Sequence, residues 1–422
     1  MAEVVRKIGL SLGADVCWPL CFEGIMRKLD LRIPSDGSDG VTSPGDTIRF
    51  DVERVYIEPF DLRQPCKYDV VVDRLTHWYH TSREWIKKAV VMDGLYVFNN
   101  PWSVQSNEKH TTYCAMMHLG MPIPDTWMVP PKSYEPNPDL KPTLARYAKL
   151  FDVRKIGDKI GWPMFMKPYD GGGWRGVTKV DDPEAVYKAY EESGKAVMHL
   201  QAAVAGYDKF VRCIGFGPQT RCVLYDASAP LHDRYTMKTG FMTKEEEEHL
   251  RKVTLTINTF FGWEFNSWEA LHRGGVWHPI DFANPCPDSQ VTSLHYHFPW
   301  LVKAYIKWTV FCAATKRKMR KNQDWQPFYD VAKLDIPYAD KLDLYAKIAD
   351  ERLETARFEE FCQKHLSHLD EVVAEFFASP EARDAVHQKT SALFPAHEID
   401  QFTELFWGRI QEWRRAEGAA AG

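Results

Sequence analysis

Apolar and polar positions along the first hundred residues switch repeatedly between a period of two and a helical period. Residues 4–10 predict a first strand and residues 17–29 a helix. Residues 30–46, rich in Gly, Ser, Pro and Asp, predict a surface loop. The β-branched and aromatic runs at 54–58 and 68–73 predict further strands, 82–92 an amphipathic helix, and 96–98 a short strand. Strands alternating with helices imply a parallel sheet in an α/β layer.

The pattern then changes. Asn107-Glu108-Lys109 opens a helix running to Leu119, stopped by Gly120 with Pro122 and Pro124 behind it. Residues 130–142 carry five prolines and predict a linker or semi-rigid loop. From 160 to 284 the signals are mainly strands, with helices at 183–193 and 244–261. Thr243 followed by Glu245-Glu246-Glu247 is a good N-cap with acids in the first turn. Residues 298–314 form the most hydrophobic helix candidate. The basic run 316–321 reads as a solvated face. Residues 340–417 predict helices, with Phe358, Phe361, Leu366, Leu369, Val373 and Phe376 at helical spacing and Ser379-Pro380-Glu381 as a helix start.

The 422 residues suffice for two or three domains, and 45 % hydrophobic content supplies a sizeable core. A net charge of −5 argues against nucleic acid as a main partner. No run of 18 apolar residues exists, so no membrane span is expected. Nine irregularly spaced cysteines do not form a disulfide framework, and no signal peptide precedes the first strand. A soluble cytoplasmic protein is the default expectation. His295 and His297 suggest a metal pair, but they sit two apart in an aromatic loop, which argues against a zinc site.

The most informative stretch is 161–177. An apolar strand delivers Lys167, and Gly171, Gly172, Gly173 and Gly176 follow within a few residues. Glycine lets backbone N–H groups approach an anion, and the lysine adds a point charge suited to phosphate. This is neither a Walker loop, since no Gly-Lys-Ser/Thr closes it, nor a dinucleotide fingerprint. Further on come a strand ending in Gln201-Ala202-Ala203-Val204, the segment 206–212 with Asp208 and Arg212, and a hairpin around Arg273-Gly274-Gly275. Glu269 and Asp281 could face each other across that hairpin, a pair of oxygen ligands that suits Mg²⁺ also bound by phosphates.

In this order the motifs from about residue 99 to 314 resemble the ATP-grasp superfamily, the group of glutathione synthetase, D-alanine–D-alanine ligase and biotin carboxylase. The resemblance implies an α/β (α+β) fold. It would comprise an open α/β pre-grasp domain over 1–105, an ATP-grasp fold of two α+β subdomains over 106–315 with a lid at about 150–205, and a helical C-terminal extension over 316–422. It implies that Lys109 and Lys167 contact ATP, that Gly171–Gly176 form a lid over the γ-phosphate, that Gln201 to Val204 hold adenine, and that Asp208 holds the ribose. Arg212 and Arg234 would lie near the phosphates and the acyl intermediate, and Glu269, Asp281 and Asn284 would hold Mg²⁺. Asp281 and Asn284 are separated by two residues, so Asn284 needs a local bulge to serve as a ligand. Trp174 and Arg175 stand in the glycine loop where small residues are common.

The implied chemistry is activation of a small-molecule carboxylate as an acyl phosphate, then attack by an amine. Alternatives are a small-molecule kinase of the same fold and a non-catalytic ATP-binding assembly protein. Homodimers are common in that superfamily. Substrate is expected between the N-terminal region and the grasp fold. There Asp73, Arg74 and His77 follow a strand, and Arg74 is a candidate carboxylate contact. Trp78, Tyr79, Trp85 and Trp102 are candidates for lining that cleft, with core packing the competing role.

Overall fold

A computed structural model describes residues 2–76, 79–170 and 175–417. The N-terminal region contains β1 (Glu3–Ser11), α1 (Cys17–Leu29), β2 (Arg32–Pro34), β3 (Thr47–Arg54), β4 (Val70–Asp73), α2 (His80–Asp93) and β5 (Tyr96–Phe98). They form a five-stranded sheet in the order β2-β3-β1-β4-β5. β1 is central and runs parallel to β3 and β4, with Ile8 opposite both Val52 and Val70. Ile8, Leu10, Val70, Val71 and Val72 are buried, as strands of a parallel sheet covered on both faces must be.

Two strand expectations needed correction. The third strand is Thr47–Arg54, where Ile48, Phe50 and Val52 alternate with polar residues; 55–60 are not strand, and Tyr56 and Ile57 are 78 % and 59 % exposed. The loop expected over 30–46 contains the short edge strand β2, antiparallel to β3 and closed by Pro34, which has no N–H to extend the ladder.

The middle of the chain holds α3 (Pro101–Ser106), α4 (Lys109–His118), β6 (Thr126–Val129), α5 (Leu140–Tyr147), α6 (Arg154–Ile160), β7 (Met164–Pro168), β8 (Thr178–Val180), α7 (Pro183–Glu192) and β9 (Met198–Ala202). β6-β9-β7-β8 make an antiparallel sheet with its own core of Val129, Met164, Met166, Val186 and Leu200. The proline-rich stretch passes into α5 at its end. Gly176 has φ +70°, and a Cβ there would lie 3.0 Å from the Pro168 ring, so the turn into β8 requires glycine.

A second antiparallel sheet, β11-β10-β12-β13, is built from β10 (Lys209–Phe216), β11 (Gln219–Leu224), β12 (Phe265–Arg273) and β13 (Val276–Asp281). It is backed by α8 (Lys244–Phe261). Thr243 and Glu246 close a capping box at the start of α8, and Gly262 ends it at φ +67°.

The remaining helices are α9 (Val291–Leu294), α10 (Phe298–Ala314), α11 (Gln326–Ala332), α12 (Tyr338–Leu353), α13 (Thr355–His365), α14 (Leu369–Phe376), α15 (Pro380–Ser391) and α16 (Ile399–Ala416). The apolar run from Phe358 to Phe376 is split between α13 and α14 by the turn at Leu366. These helices share a core with the rest of the chain. α10 is buried nearly all round; α14 and α15 pack on α1, and α12 on α8.

Arg317, expected on a solvated basic face, turns inward. Its Nε donates to Tyr96 Oη at 2.7 Å, and Tyr96 and Trp308 both donate to Glu264. Burial pushes the Glu264 carboxyl up against the opposing pull of Arg317. One hydrogen-bonded cluster thus joins β5, the start of β12, α10 and the segment after it.

Candidate active site

The site grows from an irregularity in the β12–β13 hairpin. Glu269 pairs with Asp281, but the next pair is Ala270 with Pro279, so β13 carries one extra residue, Ile280. A bulge of this kind takes a residue out of the ladder and re-aims its groups. The Ile280 carbonyl accepts from Lys167 Nζ at 2.8 Å and from Tyr113 Oη at 2.7 Å. Lys167 comes from β7 and Tyr113 from α4, so both the β6-β9-β7-β8 sheet and the helix are fastened to the bulge.

Lys109, the first residue of α4, places Nζ 2.7 Å from Asp281 Oδ2. Lys167 Nζ also donates to Gln201 Oε1 at 2.8 Å, and Gln201 Nε2 donates to Thr126 Oγ1 at 2.8 Å. On the other side of the hairpin, Glu269 is paired with Arg212 of β10, its cross-strand neighbour. The Arg212 guanidinium lies 5.7 Å from the Tyr225 ring and 6.0 Å from the Tyr235 ring, and its Nε is buried without a hydrogen-bond partner among the described residues.

Three cations therefore face two carboxylates in a mostly buried space. Burial drives the Lys167 ammonium down to about 8; Asp281 opposes this and Lys109 reinforces it. Burial raises the Glu269 carboxyl, with Asp281 adding to the rise and Arg212 opposing it. For Asp281 burial acts the same way, but Lys109 and Lys167 outweigh it and hold the carboxyl below its usual value. Burial lowers Arg212 less than Tyr235 and Glu269 raise it, so its charge is held firmly.

Other sequence-derived candidates are placed less centrally. Asn284 donates Nδ2 to Ser267 Oγ at 3.0 Å, and its backbone N donates to Asn266 Oδ1 at 3.0 Å; it lies three residues past Asp281 and is not bonded to it. Asp208 receives His272 Nδ1 at 2.7 Å, and that bond holds the Asp208 carboxyl below its usual value. Val204 is buried just past the end of β9. Arg234 donates Nε to Ala229 O at 3.1 Å within its own loop and makes no ion pair among the described residues. Gly171, Gly172 and Gly173 lie outside the described residues, as do His77 and Trp78. Trp85 packs edge-on against Tyr68 at 6.1 Å, Trp102 joins the same core, and Tyr79 is exposed.

Both ring nitrogens of His297 are engaged, Nδ1 by Arg221 Nε at 3.1 Å and Nε2 by Thr236 O at 2.8 Å. The described residues contain no group of three or more His, Cys, Asp or Glu side chains arranged to hold a metal. Cys17, Cys21, Cys66, Cys114, Cys213, Cys222, Cys312 and Cys362 are free thiols.

Sequence reasoning missed a histidine pair at this site. His199, directly opposite Lys167 in the β7–β9 register, places Nε2 3.3 Å from His110 Nδ1, with the rings stacked at 5.5 Å. Burial pushes His199 down to about 4, with His110 and both lysines adding to the effect, so it stays neutral at pH 7. The signal was present: His199 lies two residues before Gln201 on one strand and so shares its face.

The Glu269–Asp281 donor set is compatible with Mg²⁺. Two carboxylates meet across a hairpin, and hard cations take oxygen ligands. Both are already engaged by cations, so the ion would need oxygens from a polyphosphate to complete its shell.

No protein-family model matches the chain, and no curated protein matches it. Among solved structures it is similar to a D-alanine–D-alanine ligase from Bacillus anthracis complexed with ATP, at 12 % identity and a TM-score of 0.45, over 82 % of this chain and 99 % of that one. It is also similar to a RimK domain ATP-grasp protein from Sphaerobacter thermophilus, at 13 % identity and a TM-score of 0.44, over 67 % and 92 % of the two chains. These are likenesses of overall shape and assign no residue a role.

Proposed function

We propose that the protein is an ATP-dependent carboxylate–amine ligase. The observation that carries this reading is the convergence of Lys109 and Lys167, from separate segments, on the Glu269–Asp281 hairpin. The site has one more cation than carboxylate before any ligand arrives, which suits a polyanion.

In this reading Lys109 and Lys167 position the phosphates and neutralise part of their charge. Gln201 fixes the Lys167 side chain, and the segment after it to Val204 receives the base. Arg212 faces the transferred phosphoryl group with its unused Nε donor. Glu269 and Asp281, with or without Asn284, would hold Mg²⁺, which supplies charge neutralisation between the phosphates. A carboxylate oxygen of the acid attacks the γ-phosphorus and ADP leaves. An amine then attacks the acyl carbon and inorganic phosphate leaves.

The test has two stages. Calorimetry with Mg²⁺ and ATP should give saturable binding that Lys167→Ala weakens. ADP release is then screened over pairs of small acids and amines. Phosphate release that depends on the amine supports a ligase, a stable phosphorylated product supports a kinase, and no nucleotide binding rejects both.

A further inference from the structure

Four distant segments meet at the carboxyl ends of β1 and β4, the edge of a parallel sheet where ligands commonly bind. Arg74, the residue after β4, is 7 % exposed. Its Nε donates to Asp15 Oδ2 at 3.0 Å, and Gln290 Nε2 occupies the other oxygen of that carboxylate at 2.9 Å. Arg74 Nη1 is enclosed and has no hydrogen-bond partner among the described residues. Lys389 of α15 is 3 % exposed, and its Nζ donates to Ala14 O at 3.1 Å, one residue from Asp15. An ammonium has three donors, and Lys389 has no ion pair among the described residues.

Of these two buried cations only Arg74 is directly bonded to a carboxylate; Asp15 acts on Lys389 without a bond. Asp288 acts on Lys389 from a distance, while its Oδ1 accepts the Gln290 backbone N–H at 2.8 Å. Unused donors on a buried guanidinium and a buried ammonium are costly unless something occupies them. A carboxylate offers two oxygens that fit a guanidinium and an ammonium together. The Phe265 ring, 5.8 Å from the Arg74 guanidinium, supplies an apolar wall. The loop from Asn284 to Gln290 runs from the end of the Glu269–Asp281 hairpin to this cluster.

We propose that Arg74 and Lys389 together bind the carboxylate of the acid substrate, which makes helix α15 part of the active site. The inference rests on the ligase reading for the meaning of "substrate", but the binding site itself is tested without nucleotide.

The full chain is subjected to thermal unfolding with glycine, L-alanine, L-glutamate, acetate, lactate and succinate, each compared with its primary amide. At least one acid should give a saturable rise in melting temperature that its amide does not. Lys389→Met and Arg74→Lys should raise the half-saturating concentration about tenfold or more, the effect of losing one charge-assisted hydrogen bond. Lys389→Arg should restore most of it. Calorimetric ATP affinity should be unchanged in the variants, and a failure of ATP binding in the wild type would remove the ligase reading alone. Absence of protection by every acid overturns the site. So does equal protection in whichever of Lys389→Met and Arg74→Lys keeps the wild-type melting temperature.

Discussion

Lys109 Nζ and Asp281 Oδ2 form a 2.7 Å ion pair that joins the first turn of α4 to the last residue of β13, 172 positions apart. In the proposed reading, a polyphosphate would have to compete with Asp281 for the same ammonium. Lys109→Met should therefore weaken ATP binding by about 1–3 kcal/mol, the cost of a charge-assisted hydrogen bond. Calorimetry checks this, and an unchanged dissociation constant removes Lys109 from the site.

Burial drives the Lys167 ammonium down to about 8. Phosphate favours its charged form and so raises that value on binding. At pH 8 the protein should take up a fraction of a proton per ATP bound, and affinity should fall as the pH rises through 8 to 9. Calorimetry in buffers of different ionisation enthalpy measures the uptake directly; Lys167→Met should abolish it.

Asp281→Asn leaves the hairpin its shape but removes the charge that balances Lys109 and Lys167. Mg²⁺-dependent ADP release should drop at least a hundredfold, and the melting temperature should fall because two buried ammonium groups lose their counter-charge. Full turnover in this variant would exclude Asp281 as a metal ligand.

Arg317→Met breaks the cluster that Arg317 forms with Tyr96, Glu264 and Trp308 and leaves a buried carboxylate without its nearest cation. Arg317 is hydrogen-bonded to Tyr96 and ion-paired with the half-buried Glu354, so its loss should cost about 1–3 kcal/mol. Urea unfolding should show this loss in a single transition, because the cluster ties the N-terminal sheet, the hairpin sheet and the C-terminal helices together.

Burial depresses His199 to about 4, His297 to about 4 and His295 to about 2. The unfolded chain takes up protons near pH 6.5 while the folded chain does not. Each histidine therefore favours unfolding as the pH falls from about 6.5 toward 4. Melting temperature should decline across that window, and His199→Gln should flatten part of the slope.

The elements that local chemistry specifies were legible. Thr243 with Glu246 fixed the start of α8, and Ser379-Pro380 the start of α15. The Arg273-Gly274-Gly275 turn and the alternation around it placed Glu269 opposite Asp281. The position of the bulge was not legible. The spacing of Asp281 and Asn284 suggested one between them, whereas the extra residue is Ile280, because register depends on what β12 packs against. The third strand was set too late because Tyr56 and Ile57 resemble strand residues yet have no sheet neighbour. Arg317 and Lys389 were invisible as buried groups: nothing near them in sequence indicates that Glu264 or Asp15 will be their surroundings.

The packing of α14 and α15 over α1 has a consequence for synthesis. Trp18 stacks on Tyr305 of α10 at 4.2 Å, and α14 and α15, more than three hundred residues after α1, pack over the same helix. Until those helices are made the nascent N-terminal half presents a bare aromatic surface, and its native contacts are among the longest-range in the molecule. Contacts of such long sequence separation form late, and until they do the uncovered apolar surface favours aggregation.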